Sequence, residues 1–282
     1  MAFIAPSLDH VVVDARDRLV EAARVYRALG FQLTERGRHT LGSTNHLAVF
    51  ENNYLELLGF DEKAGAVRAE ILAFPIGLNG LVFGTDQPEL LFGELQTRGL
   101  PTEEPIAFSR PVHLADGTQE ARFRVVRLRA GTVSFGRMYF CHHLTRHLVW
   151  RAEWQQHANG AESIARIVIA ARNPAACSSI FVRIFGANAV TPGPHGSWKL
   201  AAGAISIELF TAEELTRQFG DAIPDPAGRV DYMAVLSIRT ASLSRAAQAI
   251  RAGAIRGVRI EPDRILVPAK EAMNVAIEFV EQ

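Results

Sequence analysis

Cysteine is nearly missing from this chain: 282 residues hold two, Cys141 and Cys177, far apart and with no Cys-x-x-Cys pair. That excludes a disulfide framework and a zinc knuckle, and both read as small core residues. Net charge is missing too. Thirty basic and thirty acidic side chains cancel, so no long-range field directs the chain to nucleic acid or to an anionic membrane surface. No uncharged apolar run approaches the roughly 20 residues of a membrane span. The opening MAFIAPSLDH lacks the basic region, apolar stretch and small-residue cleavage site of a secretory signal. These absences lead to the expectation of a soluble, cytoplasmic protein. There is no strand–GxGxxG–helix, no GxxxxGK(S/T), no Gly-x-Ser-x-Gly elbow and no His-Glu-x-x-His, so nothing argues for a bound nucleotide.

What is present is ample core material, 48% hydrophobic, and a repeat. Sliding HVVVDARDRLVEAARVYRALG (His10–Gly30) by 156 positions lays it without a gap on RIVIAARNPAACSSIFVRIFG (Arg166–Gly186). Each copy reads as an apolar strand, a cap at Asp17 or Asn173, a helix with apolar residues at 3.6 spacing, and a closing glycine. Weaker echoes start at Asn79 and Asp231, which spaces four βα starts along the chain. After each helix come extended segments rich in β-branched and aromatic residues, such as NHLAVFEN and NYLELLGF around the Asn52-Asn53 turn. The module is therefore one strand, one helix, three strands. Tandem βαβββ modules pair side by side into a curved sheet around a cleft, so the expected α+β fold has two domains, residues 1–150 and 164–282, joined by the polar segment 151–163.

His10 is out of keeping with its strand, LDHVVV, because a buried imidazole without a partner costs roughly 1–3 kcal/mol. It needs a hydrogen bond, a proton or a metal.

The order and spacing of LDHVVV, GRHTLGSTNHLAVF, NYLELLG and YFCHHLTRHLVWRAEWQQHANGA resemble the vicinal oxygen chelate superfamily, in particular its glyoxalase-like branch. The resemblance is strongest over residues 7–160, and the last two modules share only its pattern. It implies two glyoxalase/dihydroxybiphenyl dioxygenase-like domains. It also implies a divalent metal (Fe, Mn, Ni or Zn) held by side chains of the first and last strands of adjacent modules. Here those strands offer His10 and Glu56, with His142 opposite Glu56 by module alignment, while Gly80 replaces the ligand expected on the second module's first strand. Glu56 would then alternate between ligand and general base, and His46, Tyr54, Phe140 and His143 would face a small-molecule substrate. His142 and His143 alternate to opposite faces of their strand. His39 and His46 flank the Leu41-Gly42 turn and are expected to shape or line the cleft.

At the same positions the second half has Arg166 and about Met233, and only the acids Glu208 and Glu278 remain. Arginine cannot ligate a metal, so Arg166 is expected to pair with Glu208. That leaves the C-terminal domain as packing partner, lid or the surface of a homodimer. Two functions are open on the sequence: a metal-dependent lyase, isomerase or dioxygenase acting on vicinal oxygens, or a metal-free pocket that sequesters an apolar molecule between Tyr54, Phe50, Phe140 and Trp150.

Overall fold

A computed structural model describes residues 5–60, 69–115 and 117–281. The first module is β1 (Leu8–Arg16), α1 (Leu19–Ala28), β2 (Gly37–Arg38), β3 (Ser43–Val49) and β4 (Tyr54–Phe60). A short helix, α2 (Ala69–Leu72), leads into the second: β5 (Gly77–Gly84), α3 (Pro88–Thr97), β6 (Ile106–Leu114), β7 (Gly117–Arg127) and β8 (Arg137–His143). The third is β9 (Ala161–Ala170), α4 (Pro174–Phe185), β10 (Val190–Pro192), β11 (Trp198–Ala202) and β12 (Ile205–Phe210). After α5 (Ala212–Phe219), the fourth is β13 (Tyr232–Thr240), α6 (Leu243–Ala252), β14 (Arg259–Ile260), β15 (Arg264–Val267) and β16 (Ala276–Val280). The architecture is thus the α+β set of four βαβββ modules that the sequence pattern implies. No helix among the described residues is long and apolar enough to cross a membrane.

Local signals account for the helices unevenly. Asn173 caps α4 by accepting from the Ala176 amide at 3.0 Å, Pro174 opens it, and Gly186 closes it at φ 91°, as the caps predict. Asp17 was the matching expectation for α1 and is not its cap: that helix starts after Arg18 with no side-chain cap. Its amphipathic face, Leu19, Ala22, Ala23 and Tyr26, holds it by burial instead.

Each pair of modules makes one eight-stranded sheet, ordered β2-β3-β4-β1-β5-β8-β7-β6 and β10-β11-β12-β9-β13-β16-β15-β14. The repeat extends to register: β1 and β4 run parallel with Val12 opposite Glu56, and β9 and β12 with Val168 opposite Glu208. The first sheet closes on itself, since the Thr40 amide beyond β2 donates to Ser109 O on β6 at 3.0 Å. In the second, Phe219 at the end of α5 lies within 5.5 Å of the Arg166 guanidinium.

The outer faces of the two sheets and their helices share one apolar core, in which Phe31 stacks on Phe279 at 5.8 Å and Phe83 meets Phe185 at 4.7 Å. The approach is closest at Gly253, where a Cβ would fall 1.8 Å from Ala28 O, so only glycine lets the ends of α1 and α6 touch. The segment expected as a linker is docked: β9 already starts at Ala161, and His157 bridges back to the first half. Its Nδ1 accepts from the Gln32 amide at 3.0 Å and its Nε2 donates to Val49 O at 2.9 Å.

Burial holds the His157 imidazole below its ordinary value of 6.5, against a smaller upward effect of its bond to Val49. The proton therefore enters the unfolded chain first, and this residue's stabilisation is complete above pH 6.5 or so and declines as pH falls through it. Denaturant melts at pH 7.5 and 5.5 should show the loss, bounded by about 1.4 kcal/mol per pH unit for one proton. A His157→Gln variant should show a smaller loss, and an unchanged one would refute the assignment.

Candidate metal centre

The interior of the first sheet is a cup lined alternately from its strands. Because β4 pairs in parallel with β1 and β5 in parallel with β8, the faces can be followed residue by residue. His10, Tyr54 and Glu56 face inward, together with Asn45 from β3, Arg110 from β6, Phe123 from β7, and Tyr139 and Cys141 from β8. The space they enclose is about 40 Å³.

His10 owes its setting to an irregularity. Leu8 pairs with Phe83 and His10 with Val82, so two residues of β1 advance against one of β5 and Asp9 is the extra residue of a β-bulge. In a regular strand Asp9 would face away from His10. Here its Oδ1 takes hydrogen bonds from His10 Nδ1 at 2.5 Å and from His143 Nε2 at 3.0 Å. With Nδ1 donating, the His10 Nε2 lone pair is turned into the cup, where it accepts from the Tyr139 hydroxyl at 3.3 Å and lies 3.8 Å from Glu56 Oε2. Tyr54 stacks beneath the imidazole, 4.3 Å between centroids and 12° between planes. Glu56 is oriented from its other side by Asn45 Nδ2, which donates to Oε1 at 2.6 Å.

The charges follow from these contacts. Burial alone would raise the Asp9 carboxyl, but the His143 imidazole and the hydrogen bonds from both histidines hold it well below the usual carboxylate range. Burial would likewise raise Glu56, and the nearby His39 and His10, the Asn45 amide and Arg110 bring it below its ordinary value instead. Two buried carboxylates therefore stay ionised beside imidazole nitrogens, a donor set that suits a divalent cation. Among the described residues, ligand atoms of Asp9, His10 and His143 all lie within 4.8 Å of one another.

The expected residues divide by face. His10, Glu56, Tyr54 and His143 meet inside the cup. His142 does not: it pairs across the sheet with Arg124, which is bound to Glu89 on α3, so it points to the helix side. Strand register gives the reason. Gly80 is opposite Arg137 and Val82 opposite Tyr139, as His10 is opposite Tyr54 and Val12 opposite Glu56, so the counterpart of Glu56 is Tyr139, three residues before the histidine that module alignment indicated. Phe140 also faces away, into the shared core against Phe83 at 5.9 Å, and Phe50 lies in that core too. His46 belongs to the reverse face of β3, with Nδ1 donating to Thr34 O at 2.8 Å. Of the two histidines at the Leu41-Gly42 turn, it is His39 that lines the cup. Asp9, Asn45, Arg110 and Tyr139 were missed. Asp9 could have been suspected as a second polar residue at the mouth of an apolar strand, but a bulge leaves no sequence signature.

The profile of the glyoxalase-like domain family matches residues 8–185, the whole first sheet and the start of the second. This chain belongs to the glyoxalase-like domain family. Solved structures of the vicinal oxygen chelate fold superpose on this glyoxalase-like protein from end to end at low identity. A hypothetical protein from Staphylococcus aureus matches with a TM-score of 0.70 at 14% identity, covering 98% of this chain and 99% of its own. A mutant 4-hydroxymandelate synthase from Streptomyces coelicolor matches at 0.61 and 11%, covering 99% and 93%. A Mn(II)-bound glyoxalase from Novosphingobium aromaticivorans matches at 0.56 and 11%, covering 100% and 83%. At such identities the likeness concerns the fold. Among curated proteins none matches.

The second cup differs in kind. Arg166 bonds Glu208 at 3.2 Å and Glu278 at 2.8 Å, and Arg264 reaches the other oxygen of Glu278 at 3.2 Å. Its acids are thus neutralised by guanidinium groups, with Phe219 covering both arginines.

Proposed function

We propose that this glyoxalase-like protein is an enzyme that holds a divalent cation, one of Fe, Mn, Ni or Zn, between His10 Nε2 and Glu56. It acts there on a small substrate through oxygens on adjacent atoms, as a lyase, isomerase or dioxygenase. The observation that carries this reading is an imidazole fixed by Asp9 whose cup-facing nitrogen lies 3.8 Å from a buried carboxylate oxygen. That gap is too long for a hydrogen bond, yet two ligand bonds of roughly 2.0–2.2 Å to one ion can span it. A bound cation would supply Lewis-acid polarisation of a substrate oxygen.

The remaining roles belong to the chain. Asp9 sets the tautomer and ring orientation of His10, as carboxylates behind metal-binding histidines do. Glu56 serves as ligand and, when released, as base. Tyr139, the counterpart of Glu56 in the second module, offers its hydroxyl where a third donor is needed. Substrate-sized space adjoins the cup, since Cys141 also borders a cavity of about 660 Å³ that Asp9 and His143 line as well. Metal-free sequestration of an apolar molecule finds less support, because His10, Asn45, Glu56 and Arg110 line the cup and covering such groups with apolar surface costs free energy.

Elemental analysis of protein purified without chelators tests the proposal: about one equivalent of a transition metal is expected, and none above background would end it. Asp9→Asn should weaken metal binding by about 10–100-fold without removing a ligand. Titration with a competing chelator measures this, and an unchanged affinity would separate Asp9 from the centre.

A further inference from the structure

One buried cation in the cup is incompletely hydrogen-bonded. The Arg110 side chain, on the closing strand β6, is 3% exposed, and its Nη2 is buried with no hydrogen-bond partner among the described residues. The residue opposite it on β7 is Ala121. Glu56, whose charge reaches it, gives Oε1 to Asn45 and Oε2 to the His10 side. A buried guanidinium nitrogen without an acceptor is costly, and the planar fork of donors fits a carboxylate in two parallel hydrogen bonds. A second unsatisfied atom is beside it: Asn45 Oδ1 is buried and accepts from no donor among the described residues. Both lie against Gly37, where a Cβ would come within 2.4 Å of Asn45 Oδ1 and 3.1 Å of Arg110 Nη1. The glycine thus leaves room for the guanidinium and the amide oxygen to lie near one another. The enclosed space is small, about 40 Å³, so it favours a small ligand.

We propose that Arg110 anchors the carboxylate of a small organic acid in this cup, while Asn45 Oδ1 accepts a hydrogen bond from a hydroxyl on the neighbouring carbon. The inference rests on the cup being the ligand site and adds the chemical class of the ligand. Glu56 would repel such an acid in the bare cup, and a cation between His10 and Glu56 removes that repulsion, so acid and metal should each bind more tightly with the other present.

Isothermal titration of the full chain, its metal content measured on the same sample, with glycolate, acetate and glycolamide decides it. Glycolate should bind, acetate about tenfold more weakly for want of the hydroxyl, and glycolamide not measurably, because it lacks the charge. Arg110→Gln should lose at least about tenfold in glycolate affinity with metal content unchanged. Should the glutamine variant not fold, Arg110→Lys carries the test, since it keeps the charge but not the fork and should weaken glycolate. Glycolate bound equally by wild type and variant, glycolamide bound as tightly as glycolate, or no glycolate binding by metal-loaded wild type would each overturn the proposal. Arg110-dependent glycolate binding by protein that carries no metal would leave it standing and sink the metal centre instead.

Discussion

His10→Ala is expected to lose bound metal, with affinity falling by more than the roughly hundredfold that loss of a supporting residue can cost. The variant removes the cup-facing nitrogen while leaving Glu56 held by Asn45. It also takes one of the two hydrogen bonds from Asp9, which keeps His143 as partner. Leaving a buried carboxylate short of one donor costs about 1–3 kcal/mol, so urea denaturation should show modest destabilisation of a chain that still folds. Metal content is then read on folded protein. A folded alanine variant that keeps its metal would show that the ion, if any, is held elsewhere.

Phe140→Ala should do the opposite. The ring is fully buried in the shared core, 5.9 Å from Phe83 and 6.4 Å from Phe185, on the far side of β8 from the cup. Truncating such a side chain typically costs 3–5 kcal/mol, the lost transfer energy plus the cavity left behind. Chemical denaturation should report that loss while metal per folded chain stays unchanged. Metal loss with little change in stability would return Phe140 to the cleft, where the sequence reading had it.

These two residues show how far the sequence reached. His10 was legible because a polar residue among valines needs a partner, and that rule depends on burial alone. Phe140 and His142 were misplaced for one shared reason: which face of β8 a residue occupies depends on its pairing with β5, and a shift of one residue reverses every side chain. His46 was misplaced in the same way on β3. In each case the neighbour one position along, Tyr139, His143 or Asn45, took the place in the cup.

The sequence by itself determined the modules, their number and their order, because strand and helix periodicities and the 156-residue repeat are local properties that survive without knowledge of contacts. It also determined that Arg166 would pair with a nearby acid, since its guanidinium is permanently charged, and it bonds Glu208 at 3.2 Å. Only the tertiary structure decided the composition of the cup. The bulge at Asp9, the register that makes Tyr139 the counterpart of Glu56, and the closure of β2 on β6 that buries Arg110 all arise from pairings between strands distant in sequence. The free energy of those pairings resides in the assembled sheet rather than in any one segment.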